Sequence, residues 1–322
     1  MFKILKDLFL KCFIQKIYRE NKEFYFPIFS HAPKYLNLAY PDFSIQYFIL
    51  SLGTGDFVTL DGVIPRDKIV FWSVCLYDDK AMPIWSKNDS HFKTNRYIIP
   101  VHATKPVALI VRFYVKTKYQ NNDFYQYLPN ISPPRPSLTK ARRQQITHSL
   151  FVQMKKRISK HFKTIDPTIL NKHEFFLPGS KRRQALFSNP FAFYLAMFPK
   201  NKDSVFTISI NTKNLEQLRF IGFMSCNYET TETRESISLE KKKQYTIYVC
   251  HEQKRKKLQN KYPSAKHILC FSTHPIIIYR LVIVNKQHPF LKLNEKEEDT
   301  YFPKIQQKLK EYYPKVQCLN DL

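Results

Sequence analysis

Two groups of residues have side chains that could do chemistry: a cysteine–histidine set late in the chain and an earlier pair of aspartates. Cys250 is followed by His251, and His267 lies three residues before Cys270. Thiolate and imidazole groups are the ligands that zinc prefers, but these spacings match no usual zinc pattern. The arrangement is more typical of chance neighbours at strand ends. We therefore predict no metal site and no cofactor.

The acidic pair, Asp78 and Asp79, follows a predicted strand. Two carboxylates in different environments can serve as general acid and base. Adjacent residues of an extended chain point to opposite faces, so a role in the turn is favoured. Gly53 and Gly55 could open a dinucleotide-binding fingerprint, but Val58 stands where its third glycine is needed. No catalytic residue is predicted.

Positive charge is the strongest functional signal in the sequence. The chain has 52 Lys and Arg against 26 Asp and Glu, a formal net charge of +26, whereas about 2–8 suits a small domain. The basic clusters predict a surface that contacts anions or nucleic acid, with a generally solvated charged surface as the alternative. Since the sequence has no motif of a sequence-specific nucleic-acid-binding domain, such binding would be to the phosphate backbone. The candidate residues are Arg142, Arg143, Lys155, Lys156, Lys160, Lys181, Arg182, Arg183, Lys254, Arg255, Lys256 and Lys257.

The N-terminal segment predicts an amphipathic helix over residues 1–25. Leu5, Phe9 and Phe13 share its apolar face, which could dock on the protein's own core, on a partner or on a membrane surface. Its charges argue against a cleavable signal peptide, and no apolar stretch reaches the roughly 18 residues of a spanning helix.

The 6 cysteines predict a reducing environment. They form no C-x-x-C pair, and several lie within apolar runs, where a free thiol behaves as a small hydrophobic group. We therefore predict reduced, buried thiols and an intracellular, reducing compartment.

Most of the remaining sequence predicts strands, and the strand pattern occurs twice. Short apolar and aromatic runs separated by turn residues indicate an antiparallel sandwich or barrel. Segments of the first half return in the same order about 150 residues later, which indicates a duplicated β unit. The matched segments are Tyr47–Ile49 with Tyr194–Ala196, Phe57–Leu60 with Val205–Ile208, Ile69–Tyr77 with Phe220–Tyr228 (which matches Cys75 to Cys226), Tyr97–Val101 with Tyr245–Val249, and Val107–Arg112 with Pro275–Arg280.

These patterns predict a mainly β protein with two related antiparallel β-sandwich, jelly-roll-like units. A basic amphipathic helix joins the units, because apolar residues recur every four positions from Ile146 to Phe162 after a Pro-rich break. Helices flank both ends. The predicted segments are residues 1–25, an amphipathic helix; 43–128, the first sandwich unit; 129–190, a Pro-rich linker and basic helix; 191–290, the second unit; and 291–322, a helical tail.

Two strands of the first half carry a family resemblance. The segment FWSVCLYDD at Phe71–Asp79 follows a DGVIP turn at Asp61–Pro65 and precedes the strand ALIVRFYV at Ala108–Val115. Over about residues 43–285, the chain resembles the paired β-sandwich proteins of unknown function found in bacteria and large DNA viruses. The second half departs from the pattern, with Phe223 where Trp72 stands. The resemblance implies the fold, no catalytic residue, and framework roles for Trp72, Tyr77 and Arg112.

Together these features predict a non-enzymatic structural or interaction protein whose basic surface docks on an anionic macromolecule: a nucleic acid, an acidic protein or a membrane surface. The abundance of Phe, Tyr, Lys, Ile and Asn favours an A/T-rich genome such as that of a large DNA virus, with virion association as one location. Three alternatives stay open: a non-specific nucleic-acid-binding protein, an enzyme with a site between the two β units, and a membrane-surface protein anchored by its N-terminal helix. The oligomeric state is open too.

Overall fold

The computed structural model describes residues 26–28, 42–105, 107–120, 122, 124–132, 173–179, 188–200, 203–213, 218–241, 243–293 and 304–319. The chain divides into two compact units, Met1–Arg157 and Ile158–Leu322. The described residues form several antiparallel sheets and few helices. The predicted β-sandwich class is therefore confirmed.

The first unit packs two antiparallel sheets around one hydrophobic core. Its strands are β1 (Phe26–Ile28), β2 (Ile45–Leu52), β3 (Phe57–Val63), β4 (Ile69–Tyr77), β5 (Pro83–Asn88), β6 (Arg96–His102), β7 (Val107–Val115) and β8 (Asn130–Ser132), with 3-10 turns at Asp89–His91, Thr117–Tyr119 and Tyr125–Tyr127. The sheet orders are β1-β2-β7-β4-β5 and β6-β3-β8. Phe48 and Trp72 from the larger sheet meet Leu60 and Ile99 from the smaller one in the core.

The second unit repeats this plan with one strand added to its smaller sheet, with no full strand among its described residues in the place of β1, and with three helices. Its elements are β9 (Ala192–Met197), β10 (Phe206–Asn211), β11 (Leu218–Asn227), β12 (Thr233–Leu239), β13 (Gln244–His251), α1 (Arg255–Lys261), β14 (Ile268–Phe271), β15 (Pro275–Ile283), α2 (Pro289–Lys292), α3 (Lys304–Leu309) and β16 (Lys315–Cys318), with 3-10 turns at Glu252–Lys254 and Lys310–Tyr312. The sheet orders are β12-β11-β15-β9 and β14-β13-β10-β16. None of the helices in the described part of the chain combines the length and the hydropathy that a membrane crossing requires.

The predicted internal repeat is confirmed by the strand pairing. In the first unit Val58 on β3 faces Val101 on β6, and in the second unit Phe206 on β10 faces Val249 on β13. The order β2-β7-β4-β5 corresponds to β9-β15-β11-β12. A β-bulge lies near the end of β4 against β5, and an equivalent one lies near the end of β11 against β12. The two units therefore share their pairing and their irregularities.

The repeat also extends to a short pairing that the sequence did not indicate. In the first unit the backbone of Phe26 on β1 pairs with Ile49 of β2. In the second unit Phe176 forms an isolated bridge with Ala196, which is the equivalent position of β9. A single bridge leaves no periodic pattern in the sequence, and this explains why it was missed.

One of the five predicted segment matches needs a correction of two residues. The sequence matched Cys75 to Cys226. In the structure Cys75 faces Ile110, and the residue that faces the equivalent Ile278 is Met224. A shift of two residues leaves every side chain on the same face of its strand, so an apolar pattern does not distinguish the two alignments.

Each unit buries one arginine at the same position of its central strand. Arg112 on β7 lies between Tyr47 and Ser73 of the neighbouring strands, and Arg280 on β15 lies between Tyr194 and Gly222. Both arginines are buried, and each guanidinium lies over the ring of its neighbouring tyrosine, at 5.9 Å and 5.2 Å from the ring centre. A desolvated cation is stabilised by the negative face of an aromatic ring. Arg112 thus occupies the framework position that the resemblance implied.

The C-terminal tail contributes more than the predicted helix. Within the predicted helical tail, residues 291–322, the structure describes α3 and its 3-10 extension, and the chain then continues as β16, which pairs with β10. The four residues of β16 are mostly exposed. They therefore lack the apolar alternation by which a strand is predicted.

The two smaller sheets differ at one edge because the same strand position holds proline in the first unit and tyrosine in the second. Pro100 of β6 faces Thr59, and Tyr248 of β13 occupies the equivalent place opposite Thr207. The Tyr248 N–H donates a 2.9 Å hydrogen bond to the carbonyl oxygen of His267, where β14 joins the sheet in parallel. Proline has no N–H and cannot donate this bond. The first unit, within its described residues, has no strand beyond β6.

We expect the Gly62→Ala substitution to destabilise the first unit. A Cβ at position 62 would lie 2.6 Å from the Tyr97 hydroxyl oxygen and 2.7 Å from its Cζ. The Tyr97 ring cannot move away, because it packs on Trp72 with ring centres 4.7 Å apart. Overpacking of this kind costs about 1–3 kcal/mol. Urea denaturation measures the loss; Val63→Ala, a half-exposed neighbour on the same strand, serves as the control. Equal stability of the two variants would contradict this packing.

Candidate functional site

Four of the predicted anion-contacting residues, Lys254–Lys257, lie within the described residues. They belong to the segment that joins β13 to β14, which has no counterpart in the described part of the first unit. The other predicted contacts lie outside the described residues: Arg142, Arg143, Lys155, Lys156, Lys160, Lys181, Arg182 and Arg183, together with Leu5, Phe9 and Phe13 of the predicted N-terminal helix.

The inserted segment is built around one buried leucine. His251 caps the 3-10 turn, since its Nδ1 accepts a 3.3 Å hydrogen bond from the Gln253 N–H. The chain then continues as α1, and Leu258 is the buried residue of that helix. Leu258 packs with Val205 in a small apolar cluster separate from the main core. A seven-residue helix is marginal alone in water, so this contact holds it in place.

Two of the four predicted basic residues make ion pairs within the unit. Arg255 Nη1 lies 2.5 Å from Glu235 Oε1. Lys254 Nζ donates a 3.1 Å hydrogen bond to the backbone oxygen of Asp203 and lies 3.8 Å from its carboxylate. These contacts anchor both ends of the turn to neighbouring strands and loops. Much of the charge on Lys254 and Arg255 is therefore compensated locally.

The other two predicted residues, Lys256 and Lys257, are exposed on α1, whereas the next residue, Leu258, is buried. Neither forms an ion pair with a described residue. The inserted segment from residue 252 to 267 has 6 Lys or Arg and 1 acidic residue, Glu252, which pairs with Arg234. The helix therefore presents uncompensated positive charge to solvent.

Aromatic side chains that could stack on nucleic-acid bases do not accompany these lysines. Tyr248 and Tyr262 pack on each other, with ring centres 4.9 Å apart, and both are half-buried. The exposed large apolar residues found among the described positions all belong to the first unit; they are Phe57, Val63, Met82, Ile84 and Ile98. The α1 surface is thus suited to contacts with charged oxygen atoms rather than with bases.

The cysteine–histidine set is brought only partly together. The parallel pairing of β13 and β14 places Cys250 opposite Cys270, and their sulfur atoms lie 3.9 Å apart. The histidines point elsewhere: the His251 ring packs on Phe271 and the His267 ring on Tyr245. In the part of the chain that the structure covers, no group of three or more His, Cys, Asp or Glu side chains could hold a metal ion.

The thiol prediction holds for four of the five described cysteines. Cys75, Cys226, Cys250 and Cys270 are buried, and none of them is in a disulfide. Cys318 is free but exposed, which contradicts the predicted burial. It lies at the end of the short edge strand β16, whose residues show no apolar alternation that would distinguish a buried position from an exposed one.

Cys318 also has a histidine neighbour that sequence reasoning missed, because His173 lies 145 positions away. The distance from Cys318 Sγ to His173 Nδ1 is 3.3 Å. His173 Nε2 accepts a 2.9 Å hydrogen bond from the Lys200 N–H, which leaves the imidazole proton on Nδ1. Burial and the nearby Lys200 lower the pKa of His173. The ring can donate to the sulfur but cannot take its proton at Nδ1, so the pair lacks the arrangement of a cysteine nucleophile and its base.

The aspartate pair has the turn role that the sequence favoured. The Asp78 carboxylate accepts hydrogen bonds from the Lys80 and Met82 N–H groups, at 2.9 Å and 2.8 Å. Lys105 Nζ lies 3.3 Å away. Burial raises the pKa of Asp78, but these hydrogen bonds outweigh it, and the pKa lies below its ordinary value. Asp78 therefore stays ionised and fixes the turn between β4 and β5.

Comparison with known proteins supports the fold and names no activity. The chain is similar to the crystal structure of an uncharacterised protein from Burkholderia cenocepacia, with a TM-score of 0.57 and 10% sequence identity over 95% of this chain and 86% of that chain. It is also similar to a Vibrio parahaemolyticus protein, with a TM-score of 0.45 and 11% identity over 86% and 89% of the two chains. No family model and no curated protein sequence matches. At this identity, the first similarity shows a shared fold.

We expect the Asp78→Asn substitution to remove a pH-dependent part of the stability. Because the folded-state pKa of Asp78 is lowered, its contribution is present above the unfolded pKa near 3.9 and is lost as the pH falls through the folded value. The variant should lose about 1–2 kcal/mol at pH 7, the scale of hydrogen bonds to a charged group.

Denaturant unfolding at pH 7 and pH 3 measures both effects. The difference in free energy of unfolding between wild type and variant should be smaller at pH 3 than at pH 7. Asp79→Asn is the matched control, since Asp79 is half exposed and its oxygen lies 3.9 Å from Lys105. An equal difference in free energy of unfolding at both pH values would show that Asp78 does not act through its charge.

Proposed function

We propose that this is a non-enzymatic interaction protein whose basic α1 surface docks on an anionic macromolecule. The observation that carries the proposal is the position of Lys256 and Lys257. Both are exposed, without an ionic partner among the described residues, on a helix that Leu258 and the Arg255–Glu235 pair hold in place. This helix lies in the segment by which the second unit differs from the first.

The chemistry of this surface favours phosphate-rich partners. Lysine is a compact cation that binds phosphate oxygens as a point charge and releases counterions from a polyanion. The net charge of +26 would steer such a partner toward the protein from a distance. The predicted clusters outside the described residues would add contacts. A viral origin and association with a virion remain predictions from composition.

Non-specific nucleic-acid binding is the form of this proposal that is tested first. We expect the full chain to bind a labelled DNA duplex at 50 mM salt, with an affinity that falls steeply at 200 mM. In the double variant Lys256→Glu/Lys257→Glu, two phosphate contacts are lost. The slope of log K against log salt should then decrease by about 1.8, at roughly 0.9 per phosphate.

A charge-matched variant separates the α1 surface from the total charge. Lys304→Glu/Lys308→Glu makes the same change on two exposed residues of α3. We expect it to keep most of the salt slope. If both double variants weaken binding equally, the whole-protein charge acts and α1 is not the docking surface. Absence of binding at 50 mM salt would overturn the nucleic-acid form, and anionic vesicles and an acidic polypeptide would then test the two other partners.

A further inference from the structure

We propose that Cys250 and Cys270 form an oxidisable dithiol: a peroxide or a small-molecule disulfide converts the pair to a disulfide that joins β13 to β14. The site would take a two-electron oxidant. It lies at the base of the inserted segment, so the new bond would close the loop that carries α1. This inference does not depend on what α1 binds.

The backbone already holds the two residues at a distance that suits a disulfide. Cys250 and Cys270 are directly opposite each other on parallel strands, so their side chains lie on the same face. Neighbouring strands are about 4.8 Å apart, within the roughly 4.4–6.8 Å range of Cα separations in disulfides. The sulfur atoms are 3.9 Å apart and can close to bonding distance by side-chain rotation.

The surroundings favour a thiolate at one of the two sulfurs. Either thiol can donate the hydrogen bond between the two sulfur atoms. The contact with Cys270 together with the nearby Arg255 guanidinium lowers the pKa of Cys250, although burial acts in the opposite direction. Glu235 pairs with Arg255 and also accepts the Cys270 N–H at 2.9 Å. The Cys270 carbonyl accepts the Ser225 hydroxyl at 2.5 Å. The strand is thus fixed on both sides while the thiol can rotate.

Hydrogen peroxide would oxidise the two thiols in two steps. The Cys250 sulfur attacks one peroxide oxygen, the O–O bond breaks, and water leaves with the thiol proton. The Cys270 sulfur then attacks the resulting sulfenic sulfur, the S–O bond breaks, and a second water leaves with the second thiol proton. Two thiols and one peroxide give one disulfide and two waters.

Access to the buried sulfurs depends on α1. Both cysteines are at most 1% exposed, in the small cluster that contains Leu258. Because one leucine is the buried residue of this short helix, local opening of α1 would admit a small oxidant without unfolding the main core. The first unit has His102 at the position equivalent to Cys250 and, within its described residues, no strand like β14. Among the described residues, the cysteine pair is therefore found in the second unit alone, beside the inserted segment.

The test determines whether Cys250 and Cys270 are thiols or a disulfide. The reduced full-length protein is treated with hydrogen peroxide or oxidised glutathione, its remaining thiols are alkylated, and its peptides are analysed by mass spectrometry. We expect a linked Cys250–Cys270 peptide that is lost on reduction, while Cys75 and Cys226 stay alkylated. The melting temperature should rise by about 5 °C on oxidation, as expected for a new cross-link.

Four variants make the result decisive. Cys250→Ser and Cys270→Ala should each abolish the linked peptide and the thermal shift, with the folded state of each confirmed by circular dichroism. Leu258→Ala keeps both thiols and should accelerate oxidation at least about tenfold, because it loosens α1. Gln259→Ala, at an exposed position of the same helix, should not. If both cysteines stay free at doses that oxidise the exposed Cys318, or if a different pair becomes linked, the proposal is wrong.

Discussion

Burial of the central strands on both faces is the constraint from which the rest of the structure follows. Every residue of β2 and β7 is buried, so these strands are mostly apolar and do not alternate between apolar and polar residues. A slip of one residue would move every side chain of such a strand, the buried Arg112 included, to the other face of the sheet. Arg112 and Arg280 are the costly exceptions, and both units meet that cost with a tyrosine ring on the adjacent strand. The same solution is used twice within one chain.

The duplication shows which features the fold requires and which were added. Sheet order, strand register, bulges and buried arginine recur in both units. The α1 segment has no counterpart among the described residues of the first unit: it leaves the end of β13 and returns as β14 at the sheet edge, so no core pairing changes around it. Both features that we interpret functionally belong to this region: the exposed lysines on α1, and the cysteine pair on the ends of β13 and β14 that flank the segment. A surface addition on an unchanged framework is the usual way in which one fold acquires a separate role.

The sequence predicted what depends on local pattern and missed what depends on distant pairing. The sequence predicts the strand Ile69–Tyr77 with the same first and last residues that the structure shows, because its apolar run is bounded by turn residues. Cys250 and Cys270 were noticed, but their meeting depends on a parallel edge pair that no periodicity encodes. Lys254 and Arg255 looked identical to Lys256 and Lys257 in the sequence. Only the fold supplies Glu235 and Asp203 as partners for the first two.

Pro100 has a consequence for association between molecules. An exposed edge strand offers free N–H and C=O groups to any other strand, and edge pairing of this kind leads to fibrous aggregation. Beside it, Ile98 is 58% exposed and Val63 50% exposed, which would strengthen such an unwanted pairing. Because Pro100 lacks the donor at the middle of β6, an incoming chain cannot complete its ladder there. In the second unit the equivalent donor, the Tyr248 N–H, is paired with the carbonyl oxygen of His267 where β14 joins the sheet, so it is not offered to an incoming chain.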